Sequence, residues 1–378
     1  MRLYRKTWAE IDLDRIKHNI TAIKQYANPK HYFCVVKANG YGHDAVEVGK
    51  VAIEAGATYL AVAFSDEAIH LRDDIPDFPL FVLGPVNIES FSDLAEYDIT
   101  VTLHDLEHVK KAVSTYNGKP LKVHLKLDTG MNRVGLLSNQ ELIEAISLIN
   151  ATPYLELEGL FTHISTADSN DYSHFLYQQD RLDDMLKGIN LDDIKIIHVA
   201  NSATTLHHKG EYKHNKGVRL GIAMYGLKPS DDLLLPVNLK QAFSLHSIIT
   251  QVKLVKAGQK VGYGATYMAT EDEYIATIPI GYADGWLRYH QDRMVEIDGG
   301  LYPIVGRVCM DQCMIKVNAS IKAGDKVTLL GDIMTVDRAA ADLNTINYEI
   351  VCSISDRVPR IFKKNGEYIS SKYQRYLK

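Results

Sequence analysis

The segment YFCVVKANGYGHDAVEVGKVAIEAGA, residues 32–57, holds the unit from which the fold is built. It opens as a β-rich run, Tyr32 to Asn39, and continues into an amphipathic stretch where Val48, Val51, Ala52 and Ala55 recur at helical spacing. A strand followed by a helix, repeated, is the signature of a parallel sheet covered by helices. Seven more β-rich runs follow, alternating with longer helical patterns: YLAVAF (59–64), PLFVLG (79–84), ITVTL (99–103), LKVHLKLD (121–128), LEGLFTHI (157–164), IKIIHVA (194–200) and GVRLGI (217–222). Eight units predict an α/β fold, a closed (β/α)8 barrel of the TIM type. The helical segment Asp14 to Ala27 falls outside the count and is expected to cover one end.

After Pro229 the pattern changes. AFSLHSIITQVKLV (242–255), YIATIPIG (274–281), MVEIDG (294–299), LYPIVGRVCM (301–310) and KVTLLG (326–331) read as strands without intervening helices, and KKNGE (363–367) supplies an Asn-Gly hairpin turn. The expected division is a barrel over residues 1–235 and a mainly β domain over 236–378.

Composition narrows the function. Of 378 residues, 46% are hydrophobic and 24% charged, as in soluble globular chains. Acidic residues outnumber basic ones, 47 to 42, which argues against a nucleic-acid partner. The charged start, MRLYRKTWAEIDLDRIKHN, lacks a secretory pattern, and no run is apolar enough to span a bilayer, so no membrane partner and a cytoplasmic location are expected. Cys34, Cys309, Cys313 and Cys352 lack paired CxxC spacing and read as reduced thiols. His207 and His208 have no carboxylate at ligand spacing, and no metal is expected.

Barrel enzymes carry their chemistry at the C-terminal ends of the strands. Lys37, Lys126, Arg133, His163, Asn201, Ser202 and Arg219 all fall at or just beyond such ends. The apolar run Phe33–Val36 sets the base of Lys37 in the barrel wall, where an amine must be neutral, paired or covalently linked. A Schiff-base lysine meets that requirement. Ser202, with Gly221 and Ile222, lies in the loops after the seventh and eighth strands, where barrels commonly bind phosphate. Each alone has an ordinary reading, a solvated lysine, a helix cap or a turn; it is their joint occurrence that carries weight.

KANGYGH, DTGMNRVG, FTHISTAD, VRLGIAMYG, VGYGATY, GYADGW and GRVCMDQ resemble, in order, the motifs of the alanine racemase family, from near residue 8 to about residue 360. The resemblance implies pyridoxal 5'-phosphate as cofactor and interconversion of L- and D-alanine, supplying D-alanine for peptidoglycan. It implies that Lys37 holds the cofactor and is one base, and that Tyr263 is the other. Tyr41, Ser202 and the amides of Gly221 and Ile222 would hold the phosphate, with Asn201 beside them. Arg219 would face the pyridine nitrogen, with His163 buttressing Arg219 and Tyr263. Arg133 would bond the phenolic oxygen, positioned by Lys126, which is often carbamylated in the family. Met310 and Asp311 would contact the substrate carboxylate, and Tyr282, Arg288 and Arg307 would line the entrance. A homodimer with shared sites is implied, Tyr263 crossing the interface.

A phenol is a poor base near neutral pH unless neighbouring positive charge favours its phenolate, a role for Arg219. Alternatives are a racemase of broader specificity, for serine as an example, and a non-catalytic pyridoxal-phosphate-binding protein. The sequence departs from the pattern at Asp356 in CSISDRVPR, where related enzymes often carry a tyrosine that donates to the phosphate. Its carboxylate is expected either to turn towards Arg357 or Arg360 or to sit solvated in a turn.

Overall fold

The structure, a computed structural model, describes residues 4–208, 214–230 and 234–372. The first strand, β1 (Thr7–Asp12), precedes a closed barrel of eight: β2 (His31–Val35), β3 (Tyr59–Val62), β4 (Leu80–Pro85), β5 (Ile99–Leu103), β6 (Leu121–Lys126), β7 (Leu155–Phe161), β8 (Ile196–Ala200) and β9 (Gly217–Leu220). Neighbours pair in parallel, and β9 closes on β2 with Arg219 opposite Phe33. Strands buried on both sides read as continuous apolar runs, which is why these segments were legible. The barrel interior is packed with rings: Phe33, Phe81, Phe161, His124 and His198 are all buried.

The helix Leu13–Ala27 does not cover an end of the barrel. It packs against the helices Ala45–Glu54 and Ser202–His207 and the short turn Ile222–Tyr225. Since β9 is followed only by that turn, the N-terminal helix fills the place in the outer ring that an eighth helix would take. Its buried stripe, Ile16, Ile20 and Ile23, lies on the ring's inner side, and the Asp12 carboxylate caps its first turn through Arg15 N.

A second correction concerns β1, which the division at residue 235 puts with the barrel. It lies instead inside a ten-stranded sheet of the second domain, antiparallel to Phe243–Ile248 and parallel to Arg360–Lys364. Its alternating burial, with Thr7, Ala9 and Ile11 inward, is what a sheet with one covered face requires. LYPIVGRVCM ends as a strand at Val305; Gly306 has φ +69° and the chain loops through Met310 and Asp311 before the unanticipated strand Cys313–Val317. Two short helices, Val336–Asp342 and Asn347–Ser353, were also not anticipated. The Asn365–Gly366 hairpin forms, both residues at positive φ. No helix among the described residues is long and apolar enough to cross a membrane.

Candidate active site

Strand β2 ends at Val35, so Lys37 is not its last residue but the first of a tight turn. Ala38, Asn39, Gly40, Tyr41 and Gly42 are all left-handed, with φ from 52° to 78°. Each non-glycine residue there costs about 1 kcal/mol or more, so the turn must be held from outside. Glu67 Oε1 accepts from Ala38 N at 2.7 Å, Asn39 Oδ1 accepts from Ala45 N at 3.0 Å, and Arg360 Nε donates to Gly42 O at 3.0 Å. The result aims the Lys37 amine into the barrel mouth. Burial, and then the charge of Arg133, pulls its pKa below the ordinary lysine range, which favours the nucleophilic neutral amine.

Lys37 lines a cavity of about 520 Å³ together with Tyr41, Lys126, Arg133 and His163. Asn201, Ser202, Arg219, Gly221 and Ile222 complete that side. The loops after β8 and β9 meet where Ser202 Oγ accepts from Gly221 N at 3.0 Å. A Cβ at position 221 would stand 2.7 Å from Tyr41 Oη, so the missing side chain keeps open a polar niche between a hydroxyl, a phenol and backbone amides. That donor set suits a phosphate.

Arg219 forms the floor. Its Nη1 donates to His198 O at 2.6 Å and lies 3.0 Å from His198 Nδ1; its Nη2 donates to Thr162 O and Val199 O and lies 3.3 Å from His163 Nδ1. Only Nε lacks an acceptor among the described residues. Burial, with Arg133 adding, lowers the Arg219 pKa to about 9, still cationic at neutral pH. His163 is pushed well below the usual imidazole range by burial and by Arg219, and is neutral. Lys126, donating to Leu127 O at 2.8 Å, is lowered to about 7 by burial, then Arg219.

The second-domain candidates are elsewhere on this chain. Tyr263 is 70% exposed and does not line the cavity; neither do Tyr282, Arg288, Arg307, Met310, Asp311 or Asp356. Several of them assemble with one another. The Arg307 guanidinium packs over Gly264, beside Tyr263, and Tyr282 N and Ala283 N donate to Cys309 O and Met310 O. Asp311 accepts from Arg357 Nη2 at 2.8 Å. Arg357 is thus turned towards Asp311, and Arg360 spends its N–H groups on the carbonyls of Gly42, Ile354, Ser355 and Val358. Asp356 therefore pairs with neither arginine; it is an exposed turn residue that acts on Arg360 only through its field.

Sequence reasoning missed Tyr348, which brings the helix Asn347–Ser353 to the cavity with its ring 6.0 Å from that of Tyr41. It also missed Asp128, whose carboxylate gathers Gly130 N, Asn132 N and Arg133 N at 2.9–3.0 Å and so shapes the loop that carries Arg133. Asp128 opens the segment DTGMNRVG already singled out, so the signal was available.

Residues 11–229 match the family described as alanine racemase, N-terminal domain, and residues 242–362 match alanine racemase, C-terminal domain. An alanine racemase of Anoxybacillus flavithermus is 48% identical over 377 residues, 97% of each chain. The crystal structure of an alanine racemase from Bacillus anthracis with bound L-Ala-P superposes with a TM-score of 0.92 at 42% identity, covering 98% of both chains. A histidine racemase from Leuconostoc mesenteroides superposes with a TM-score of 0.90 at 31% identity, covering 96% of this chain and 99% of the other.

Proposed function

The chain belongs to the alanine racemase family and racemises alanine, and from that premise we propose that it does so with pyridoxal phosphate, Lys37 and Tyr263 serving as bases on opposite faces of the α-carbon. The observation that carries this is the cavity itself: a half-buried, deprotonation-prone lysine and a polar niche of hydroxyl, phenol and backbone amides open on one space lined by Lys126, Arg133 and Arg219. When bound, pyridoxal phosphate supplies an electron-withdrawing ring that makes the α-hydrogen of an attached amino acid acidic. The chain's task is to hold, orient and move protons. Tyr41, Ser202 and the amides of Gly221 and Ile222 would take the phosphate, and Lys37 would hold the cofactor covalently.

Arg219 Nε–H would meet the ring nitrogen. A guanidinium donates there without surrendering its proton, so it moderates rather than maximises the ring's pull on electrons. We further propose Lys126 as a site of carbamylation: its neutral amine adds carbon dioxide and releases a proton, giving a carboxylate that would position Arg133. Asn201 caps the turn that carries Ser202, its Oδ1 accepting from Thr204 N at 2.9 Å.

The exposure of Tyr263 and its distance from the cavity support a homodimer in which a second copy completes each site. Met310 and Asp311 would then meet the substrate carboxylate, and Tyr282, Arg288 and Arg307 would frame the entrance. Supply of D-alanine for peptidoglycan, from the cytoplasm, fits the family. The similarity to a histidine racemase means that side-chain selectivity is to be measured rather than inferred from the fold. The test is Lys37→Ala assayed on L-alanine, L-serine and L-histidine. The unmodified protein should racemise alanine fastest, and the variant should lose racemisation together with any cofactor reducible onto a lysine. A reducible lysine linkage surviving in Lys37→Ala would overturn the assignment.

A further inference from the structure

A line of polar side chains runs from the cavity floor down through the barrel. Arg219 Nη1 lies 3.0 Å from His198 Nδ1, His198 Nε2 lies 2.8 Å from His124 Nδ1, and His124 Nε2 lies 3.0 Å from Glu158 Oε2. Every member is buried, and the four come from adjacent strands β6, β7, β8 and β9. The His198 ring is clamped between Phe33 and Phe161, stacked at 4.4 Å and 4.8 Å, and the His124 ring sits against Phe81 at 4.6 Å. The rings cannot turn independently of these neighbours.

The ends of the line decide its protons. A guanidinium N–H can only donate, so His198 Nδ1 accepts and its proton is on Nε2. That proton is donated to His124 Nδ1, so the proton of His124 is on Nε2 and is donated to the Glu158 carboxylate, which can only accept. One arrangement satisfies all three bonds. Burial disfavours a charged imidazole at either position, and in His198 the field of Arg219 adds to this. Burial pushes the Glu158 carboxyl up, but hydrogen bonds from His124 and Tyr59 outweigh it and hold it below the usual range, ionised. Among the described residues Arg219 has no carboxylate within ion-pair distance, so Glu158 is the anionic end of its line.

We propose that Glu158 is a remote positioning residue for Arg219: through the fixed tautomers of His124 and His198 it holds the guanidinium so that Nε–H points into the cavity. The proposal rests on the reading that Arg219 faces the cofactor ring. Three backbone carbonyls also hold Arg219; its contacts to His198 Nδ1 and His163 Nδ1 depend on where a proton sits, and of these the His198 contact is the one that leads to Glu158. Without an acceptor at position 158, His124 Nε2–H is buried unpaired and the reversed arrangement becomes competitive. That arrangement puts a proton on His198 Nδ1 against Arg219 Nη1 and turns the guanidinium.

The experiment is nitrogen-15 NMR of both rings in the cofactor-loaded protein, with kinetics on alanine, for the unmodified protein, Glu158→Gln and Glu158→Leu. Both rings should be protonated on Nε2 alone in the unmodified protein and in Glu158→Gln, whose amide oxygen still accepts and whose kcat should stay within about threefold. Glu158→Leu should show mixed tautomers, a shifted cofactor absorption band, and kcat lowered about tenfold to hundredfold with KM for alanine nearly unchanged. A proton on Nδ1 of His198 in the unmodified protein, or wild-type kcat in folded Glu158→Leu, overturns the proposal. Should Glu158→Leu fail to fold, a loss of more than tenfold in Glu158→Gln does so. If the unmodified protein shows the expected tautomers but does not racemise alanine, it is the functional reading that fails and not this one.

Discussion

At Gly221 the surrounding space demands glycine. An alanine methyl would stand 2.7 Å from Tyr41 Oη. Crowding of this kind costs about 1–3 kcal/mol, and here it falls on the phosphate niche. Gly221→Ala should therefore weaken pyridoxal-phosphate binding about tenfold to hundredfold and lower the stability of the cofactor-free protein by about 1–3 kcal/mol; equilibrium dialysis and urea titration measure the two. In carbon-dioxide-free buffer, where Lys126 stays an uncarbamylated amine, it gives a pH prediction. Its folded pKa, about 7, lies below the ordinary lysine value, so between about pH 7 and pH 10.5 the unfolded chain binds a proton that the folded chain does not. Stability contributed by this site rises with pH across that window and is lowest below it. Lys126→Met should flatten that part of the stability profile. Lys37, Ser202 and Gly221 were legible because strand-end positions in a barrel already carry meaning. His124 and His198 were not: each sits mid-strand in an apolar run, and their partnership joins residues 74 apart in sequence.

One of the side chains that hold the left-handed turn after Lys37 comes from the other domain. Arg360 is fully buried, and its guanidinium donates to the carbonyls of Gly42, Ile354, Ser355 and Val358. A Cβ at Gly42 would lie 2.4 Å from Val351 O, which shows how closely the turn meets the helix Asn347–Ser353. Arg360→Met leaves those carbonyls without their donor, and at about 1–3 kcal/mol for a buried unpaired group the loss should be on the order of 4 kcal/mol. Urea titration should show it, and racemisation should fall with it because the lysine's turn loosens. Barrel strands and their helices were readable from periodicity, which reports burial. The place of the helix Leu13–Ala27 was not, because an outer ring short of one helix shows only once the barrel has closed. The helix Asn347–Ser353, and with it Tyr348, was too short for a periodic signal.

On the scale of the molecule, the proposed site is divided between two copies of the chain. Lys37, the polar niche and Arg219 belong to the barrel, while Tyr263, Met310 and Asp311 do not line its cavity. On this chain Tyr263 does not line the cavity that holds Lys37. In a symmetric dimer two equivalent composite sites follow, each with Lys37 from one copy and Tyr263 from the other. Lys37→Ala and Tyr263→Ala homodimers should both be inactive. When the two are unfolded together and refolded in equal amounts, about half of the dimers are hybrids; in each hybrid one site has lost both bases and the other has kept both. Activity should recover to about a quarter of that of the unmodified protein, with an unchanged KM for alanine, since the surviving site is intact. If each site were built within one chain, every site in the hybrid would lack one base and no recovery would appear. Verified hybrids without activity would therefore place Lys37 and Tyr263 in the same subunit's site, and would require the exposed face around Tyr263 to fold back on its own barrel.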